Sequence, residues 1–449
     1  MGRATTQAHS DDDTIVAIIT PPGEGGIAAI RLAGPASRSI ATRHFQTDQA
    51  DTETWPPFVL RYGIFQSSTN EKLDEVMAVF MPHGRSYTGL EQVEIFCHGG
   101  RLVVRKILDE LIASGARSAE AGEFTRLAFV NGRIDLARAE AVAEIIAANT
   151  ESALRASREH LLGAYSEHVT QLREQLVRVC AEIEASIDFP EEEISPAGRE
   201  ELARINSEVA SKLKELVDSY IGGRIIADGF RLALAGRPNA GKSSLFNLLL
   251  RQERALVNPT PGTTRDYIEE WIEIEGVKVN VIDTAGLRSQ GGKIEKLGQA
   301  RAREIIADCH LVIWLVDLSQ KGWEKKLGAD IAALPKTERM VVGNKVDLIA
   351  SKGKSTGKSL VDLTISCRTG AGMKELHTEL ARKIGSHLPD LTSGLVVTSA
   401  RHKQKLGAAL KAVQSATKKI AAQESPELIA FDLREASNFL DEITGKVYT

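Results

Sequence analysis

The sequence predicts a multidomain protein of α/β and α parts: an α+β N-terminal domain, a discontinuous helical domain, and an α/β domain inserted into the helical one. Three observations carry this reading. The chain has 449 residues, too many for one core at roughly 100–200 residues per domain. From Leu136 to Phe189 it holds one Gly and no Pro, and helical spacing of apolar residues returns after Ser399. Between these stretches, residues 229–388 alternate strand-like and helix-like segments. An apolar helical stripe needs a partner, so the stretches flanking the α/β segment are expected to pack on each other. The expected divisions are 1–133, 134–228, 229–388 and 389–449.

In the first part, Thr14 to Ile19, Gly26 to Leu32, Glu75 to Met81 and Gln92 to Cys97 are short and rich in Val and Ile. Turn residues such as Pro21-Pro22-Gly23 bound them, which predicts strands. Arg101 to Ser114 reads as a helix with Val104, Ile107, Leu108 and Leu111 on one face. Further on, Tyr165, Val169, Leu172, Leu176, Cys180, Ile183 and Ile187 recur every three or four residues until Pro190 stops the pattern. Leu202, Ile205, Val209, Leu213 and Leu216 form a second stripe. Leu406, Leu410, Val413 and Ile420, then Ile429, Leu433, Ala436 and Leu440, form two more.

Composition narrows the function classes. With 43% hydrophobic and 26% charged residues, 37 Gly and 14 Pro, the chain is neither collagen-like nor disordered. A net charge of −4 argues against a non-specific nucleic-acid coat and leaves room for a local basic patch. Cys97, Cys180, Cys309 and Cys367 lie far apart with no C-x-x-C pair, which excludes a zinc ribbon and reads as a reducing compartment. No apolar run reaches the ~18 residues of a membrane span. Asp11, Asp12 and Asp13 precede the first apolar run, unlike a signal peptide. The expected location is the cytoplasm, with no membrane partner.

Strand candidates in the α/β segment are Phe230 to Ala235, Ile268 to Ile274, Val277 to Ile282, Leu311 to Val316, Met340 to Val342 and Leu363 to Ile365, expected to form a mainly parallel sheet. After the first of them comes Gly236-Arg237-Pro238-Asn239-Ala240-Gly241-Lys242-Ser243, matching G-x-x-x-x-G-K-[ST], and then a helical run from Ser244 to Leu250. The glycines let backbone N–H groups converge on phosphate oxygens, and the helix start adds partial positive charge. Lys242 supplies a point charge and Ser243 a hard oxygen for Mg²⁺. Asp283-Thr284-Ala285-Gly286 ends a later strand; there Asp283 can hold Mg²⁺ through water, and the Gly286 N–H can meet a γ-phosphate. Asn344-Lys345-Val346-Asp347 follows another strand, where a carboxylate accepts from guanine N1–H and the 2-amino group, donors that adenine lacks. Ser366, Cys367 and Arg368 follow a third and can close over the base. Four motifs in this order at strand C-terminal ends identify a P-loop GTPase (Ras-like) α/β domain that binds GTP and GDP through Asn239, Ala240, Gly241, Lys242, Ser243 and Ser244.

Thr264, in Pro261-Gly262-Thr263-Thr264-Arg265-Asp266, is the expected switch hydroxyl for Mg²⁺. Small GTPases place a water-orienting Gln directly after the D-x-x-G element. Here that position is Leu287, which cannot hydrogen-bond; Arg265, Arg288, Lys293 and Glu295 are the polar candidates nearby.

Across its whole length the chain resembles the bacterial tRNA-modification GTPase family MnmE (also called TrmE). The resemblance rests on Thr14 to Ala17 with Pro21-Pro22-Gly23 and Gly25-Gly26, on Thr88-Gly89, on Cys97-His98-Gly99-Gly100, and on Gly122-Glu123-Phe124-Thr125. Asp188-Phe189-Pro190 and the phosphate loop complete it. The resemblance implies a folate-binding and dimerising N-terminal domain, a helical domain and an inserted G domain. It implies a homodimer that works with a flavoprotein, MnmG (GidA), as a heterotetramer. Together they would install an aminomethyl or carboxymethylaminomethyl group at C5 of the wobble uridine U34 of certain tRNAs. It places Asn239, Asn258, Thr260 and Thr263 around a K⁺ ion, within a switch of Asn258, Pro259, Thr260, Pro261, Gly262, Thr263 and Thr264. Ser243 and Thr264 fall on the Mg²⁺ ligands, and Glu295 on the water-organising switch glutamate. Arg31, Glu94 and Arg133 fall on contacts to 5-formyl-tetrahydrofolate, with Arg133 standing where the family has Lys. The family also carries a Cys-x-Gly-Lys tail, which this sequence is read as lacking beyond Thr444-Gly445-Lys446.

Two other functions compete. One is a ribosome-assembly or regulatory GTPase that signals by conformation alone; the other is a folate-dependent one-carbon enzyme with GTP as regulator. The folate-like motifs favour modification. Arg401, Lys403, Lys405, Lys411, Lys418 and Lys419, with no acidic residue among them before Glu424, are the expected tRNA-contacting stripe.

Overall fold

Alternation of apolar and polar residues builds the first sheet. The computed structural model describes residues 13–47, 55–189, 195–252, 254–255, 268–284, 303–332, 334–350, 360–388 and 395–446. They belong to two compact units, Met1–Glu140 and Ala141–Thr449.

In the first unit the strands are β1 (Ile15–Ile18), β2 (Gly25–Ala33), β3 (Phe45–Gln46), β4 (Arg61–Gln66), β5 (Lys72–Met81), β6 (Gln92–Gly99) and β7 (Arg117–Ser118). They form one sheet in the order β3-β4-β5-β6-β2-β1-β7, antiparallel except for β1 and β7. On β6, Val93, Ile95 and Cys97 are buried against the helix Arg101–Ala113, whose Val104, Ile107 and Leu111 face them. Glu94 and Phe96 therefore share the opposite face. Arg31 on β2 is the cross-strand neighbour of Glu94. The four expected strands and the helix are present within two or three residues. β4 is additional: its Arg61, Gly63 and Gln66 dilute the apolar signal, and Gly63 lets the Gln46 carbonyl approach, since a Cβ there would lie 2.1 Å from it.

The second unit opens with helices. Ala164–Asp188, Pro196–Asp228, Ala400–Ala421 and Pro426–Thr444 pack together, so the stripes on either side of the α/β segment do bury each other's apolar faces. Val169, Leu172, Leu176, Val209, Leu213, Leu406, Val413, Leu433 and Leu440 are all buried. Ser195 caps the second of these helices, accepting the Gly198 N–H at 3.0 Å, with Pro196 in the first turn where its missing N–H costs nothing. Buried Asn206 crosses to the later helix, donating to the Val413 carbonyl at 3.1 Å and the Thr417 hydroxyl at 2.8 Å.

Between the helices lies the second sheet: β8 (Phe230–Gly236), β9 (Arg254–Ala255), β10 (Ile268–Ile274), β11 (Val277–Asp283), β12 (Leu311–Asp317), β13 (Glu338–Asn344) and β14 (Leu363–Thr364). Its order is β14-β13-β12-β8-β11-β10-β9, parallel from β14 to β11. β10 runs antiparallel because a two-residue turn, Glu275 and Gly276, both at positive φ, joins it to β11. No helix among the described residues is long and apolar enough to cross a membrane.

Candidate functional site: a phosphate and base cradle, and a charged sheet face

The phosphate loop leaves β8 through Gly236 at φ 142°, where a Cβ would strike the Leu315 carbonyl at 2.3 Å. It enters the helix Lys242–Gln252 through Gly241 at φ 102°, where a Cβ would lie 2.2 Å from Asn344 Nδ2. These contacts leave room for glycine alone. Asn239 also has positive φ, 61°, a region asparagine tolerates better than most residues. The Lys242 ammonium is buried under the loop and donates to the Gly236 and Arg237 carbonyls, each at 3.1 Å. Ser243 Oγ donates to Asp283 Oδ2 at 2.9 Å, which brings two hard oxygens from the loop helix and the end of β11 side by side. That donor set suits Mg²⁺. Thr284 Oγ1 donates to the Leu234 carbonyl at 2.8 Å and pins the strand end.

The base-side loops are knit to the phosphate loop. Asn344 Nδ2 donates to the Ala240 carbonyl at 2.8 Å, and its Oδ1 accepts the backbone N–H groups of Lys345 at 2.7 Å and Cys367 at 3.1 Å. Asp347 Oδ1 accepts from Ser366 Oγ at 2.6 Å, and Oδ2 pairs with the Arg368 guanidinium at 2.6 Å. The Ser366 hydroxyl, with Arg368, holds the Asp347 carboxyl below its ordinary range. It is thus an anion, an acceptor fit for two guanine donors. Burial pushes the Cys367 thiol up to about 11, so it stays neutral. Ser244 is exposed at the start of the loop helix.

Two participants escaped the sequence reading. Asp317, at the end of β12, grips the Lys345 ammonium at 2.6 Å. Its signal was available: like Asp283, it is a carboxylate directly after an apolar strand. Asp330 accepts from Arg237 Nε at 2.7 Å and Nη2 at 2.8 Å, bracing the loop from the helix Trp323–Ala332. That pair joins residues 93 apart, so no local pattern announces it. Asn258, Pro259, Thr260, Pro261, Gly262, Thr263, Thr264, Ala285, Gly286, Arg288 and Glu295 lie outside the described residues.

In the first unit Arg31 and Glu94 meet, with Nε and Nη2 at 2.9 and 2.8 Å from Oε1. Gln92 Nε2 donates to the same oxygen at 3.0 Å. The Arg31 guanidinium also lies over the rings of Tyr87 and Phe124, 5.1 and 5.4 Å from their centroids. Arg133 donates instead to the Gly84 carbonyl at 3.0 Å, and neighbouring Asn131 donates to the Thr88 carbonyl at 2.8 Å. Together they hold the loop that carries Tyr87. The carboxylate beside an arginine and two rings fits a flat heteroaromatic ligand with adjacent N–H donors.

A family model described as the MnmE helical domain matches residues 136–449, and one described as the GTP-binding protein TrmE N-terminus matches residues 14–133. The tRNA modification GTPase MnmE of Aquifex aeolicus is 37% identical over 440 residues, covering 97% of this chain and 96% of its own length. Its counterpart in Akkermansia muciniphila is 40% identical over 437 residues, covering 97% and 95%. Among solved structures, the G domain of the T. maritima FeoB iron transporter aligns with 35% of this chain and 98% of its own, at 26% identity and a TM-score of 0.27. From the two family models and relatives of this similarity along nearly its whole length, the chain belongs to the MnmE (TrmE) family and is a GTPase.

Proposed function

We propose that this GTPase acts in the modification of tRNA at the C5 position of wobble uridine U34. It would add an aminomethyl or carboxymethylaminomethyl group with a flavoprotein partner of the MnmG type and a tetrahydrofolate as one-carbon donor. The observation that carries the reading is the pairing of two sites in one chain. A guanine-nucleotide cradle of Lys242, Ser243, Asp283 and Asp347 coexists with the Arg31–Glu94–Gln92 cluster. A GTPase that only signals by conformation has no need of the second.

In this reading residues 1–133 bind folate and dimerise, 134–228 and 389–449 form the helical domain, and 229–388 form the G domain. Arg133 supports the folate loop through Gly84. Ser243 and Thr264 hold Mg²⁺, with Asp283 behind Ser243. Asn239, Asn258, Thr260 and Thr263 hold K⁺ where it neutralises charge between the β- and γ-phosphates. Glu295 orients the attacking water, with Arg288 beside it. The protein works in the cytoplasm as a homodimer, and with its flavoprotein partner as a heterotetramer.

Two measurements test this. Modified-nucleoside analysis of tRNA from a deletion strain complemented with this chain should regain C5-modified uridine; tRNA that keeps plain uridine at that position would sink the reading. Titration with 5-formyl-tetrahydrofolate separates it from the ribosome-assembly alternative, which predicts no binding.

A further inference from the structure

The turn that joins β10 to β11 has a partner outside the sheet. β11 first pairs with β8 at Val279, opposite Phe230, so Glu275, Gly276, Val277 and Lys278 project past the start of β8. The Gly276 carbonyl accepts from Ser152 Oγ at 2.7 Å. Ser152 lies in the first turn of the helix Glu151–Leu162. On β10, the Trp271 ring packs on Gly229, where a Cβ would lie 2.6 Å from it, and the Lys278 ammonium stands 3.9 Å from the ring centre. The other end of the hairpin holds the nucleotide chemistry. Ile268 pairs with Asp283, the carboxylate that accepts from Ser243. In sequence, β10 follows the predicted switch residues Asn258 to Thr264, and Asp283 leads into Thr284-Ala285-Gly286. One two-stranded ladder of ~20 Å therefore has the magnesium-side carboxylate at one end and Ser152 at the other.

The helix Glu151–Leu162 carries the contact onward. Its Ala153 and Ala156 are buried with Ile226 and Val396. Near its far end, buried His160 donates from Nε2 to the Val396 carbonyl at 2.8 Å. Val396 belongs to the segment that returns the chain to the long helices, and its next two residues are held as well. The Val397 N–H donates to Ser219 Oγ at 3.1 Å, and the Thr398 hydroxyl donates to Glu144 Oε1 at 2.8 Å. Gly223 lets this segment lie against its helix, since a Cβ there would be 2.2 Å from the Val397 carbonyl oxygen. The segment is neither helix nor strand, so side chains of neighbouring helices satisfy its polar groups. The helix Ala400–Ala421 starts directly after it. The rings of His160, Tyr165 and His402 pack in series, with centroids 4.8 and 5.2 Å apart, which makes a second path to that helix.

We propose that the helix Glu151–Leu162 carries the state of the bound guanine nucleotide from the β10–β11 hairpin to the start of the helix Ala400–Ala421. Ser152 is the receiving residue and His160 the delivering one. The inference uses only the GTPase identity of the chain and is independent of the tRNA and folate readings. A hairpin hydrogen-bonded along its length moves as one piece, so a shift at Asp283 reaches Gly276. Ser152 and His160 stand eight residues apart on one short helix, ~12 Å along its axis, so its two ends move together. Packed side chains and buried hydrogen bonds have discrete arrangements and hand such a shift on. Both are positioning residues: Ser152 acts through the turn, and His160 through the return segment.

The test is hydrogen exchange of the full chain, loaded with GDP or with a non-hydrolysable GTP analogue in magnesium and potassium. Peptides spanning residues 268–283, 150–163 and 395–403 are read. In the parent, each should differ between the two nucleotides by about fivefold or more, the low end of an allosteric coupling. Ser152→Ala deletes the hydroxyl and leaves the packing of Ala153 and Ala156 in place. It should keep the difference in 268–283 and lose it in 150–163 and 395–403. Ser152→Thr restores a hydroxyl and should restore the difference. His160→Gln should lose it in 395–403 alone. Nucleotide affinity and GTP hydrolysis, the controls for folding, should match the parent in all three. A parent without a difference at 395–403 overturns the proposal. So does a Ser152→Ala variant that keeps that difference, or one that loses it in 268–283 as well, because Ser152 would then act on the hairpin itself. A His160→Gln variant that keeps the difference at 395–403 overturns the delivering role.

Discussion

Lys345 Nζ lies 2.6 Å from Asp317 Oδ2 and 2.8 Å from the Asn239 carbonyl oxygen, so one ammonium ties the base-side loop to the phosphate loop. Burial of Asp317 opposes its ionisation, but Lys345 and the Ser319 hydroxyl and N–H together hold the carboxyl below its ordinary range. A carboxyl lowered by folding contributes stability that is complete above its unfolded value and lost as pH falls through the folded one. The clamp is therefore constant near neutrality. Asp317→Asn should weaken GTP binding by ~10-fold or more, about 1.4 kcal/mol. Titration with a fluorescent GTP analogue checks this, and the parent's affinity should stay flat between about pH 6 and 8. An unchanged dissociation constant in the variant would show that the clamp does not matter to binding.

Asp347 is the residue proposed to carry the guanine preference. Its carboxylate is already oriented by Ser366 and Arg368, so it meets guanine without reorganising. Asp347→Asn exchanges an acceptor for a donor and should shift preference from GTP toward xanthosine triphosphate by ~10²-fold or more. Ser366→Ala should leave the preference intact and weaken binding modestly. Competition of the two nucleotides against labelled GDP measures both; equal selectivity in parent and Asp347→Asn would discard the assignment.

The regular parts of this molecule were legible because period carries them. The stripe from Tyr165 to Ile187 became one helix of 25 residues, and the strands before the phosphate, magnesium and base loops fell where their Val and Ile runs put them. What stayed hidden depends on contacts between distant residues. Asp330 braces Arg237, and Asp74 orients His98, through side chains that no spacing rule relates. The partners of the basic stripe were hidden for the same reason. Lys405 pairs with Glu442, Lys419 with Asp432 at 2.8 Å, and Arg401 donates to the Glu442 and Ile443 carbonyls. Lys403 lies 4.7 Å from the centre of the Tyr220 ring. The acids that answer these cations sit on the next helix, not in the stripe itself.

Asn239 is the described member of the proposed K⁺ site. Its positive φ makes Asn239→Ala a poor probe, because alanine adds backbone strain to the loss of the side-chain oxygen. Asn239→Gly removes the oxygen and keeps the conformation. At equal ionic strength the parent should hydrolyse GTP faster in potassium than in sodium, and Asn239→Gly should lose most of that difference. Equal parental rates in the two salts would end the cation proposal.

Lys411 and Lys418 belong to the proposed tRNA-contacting stripe. Both are exposed, one heptad apart on the helix Ala400–Ala421, so they share a face. Reversing both to Glu should weaken tRNA binding and flatten its dependence on salt, with log–log slope falling by ~2 if each meets one phosphate. GTP hydrolysis should not change. Filter binding across a salt series decides it, and an unaltered slope would move the tRNA surface elsewhere.

Glu123 offers a test of stability in the first unit. It opens the helix Glu123–Val130, is 3% exposed, and accepts Arg117 through Nη1 at 3.0 Å and Nη2 at 2.7 Å. It also accepts the Glu120 backbone N–H at 2.8 Å, while Arg117 reaches back to Asp13 at 2.8 Å. The network thus joins the segment just before β1, the start of β7 and the helix. Arg117 is the main cause that holds the Glu123 carboxyl at about 2, against an ordinary value of 4.5. Because the folded value is lowered, the contribution is complete above about 4.5 and disappears as pH falls toward about 2. The shift corresponds to about 3 kcal/mol near neutrality. Glu123→Gln keeps the shape and removes the charge, so it should destabilise the unit by an amount of that order at pH 7, and the gap between variant and parent should close on acidification. Hydrogen exchange of peptides spanning residues 117–130 in the full chain reads this locally. Identical protection in the two proteins at neutral pH would mean that the buried pair only balances its own desolvation.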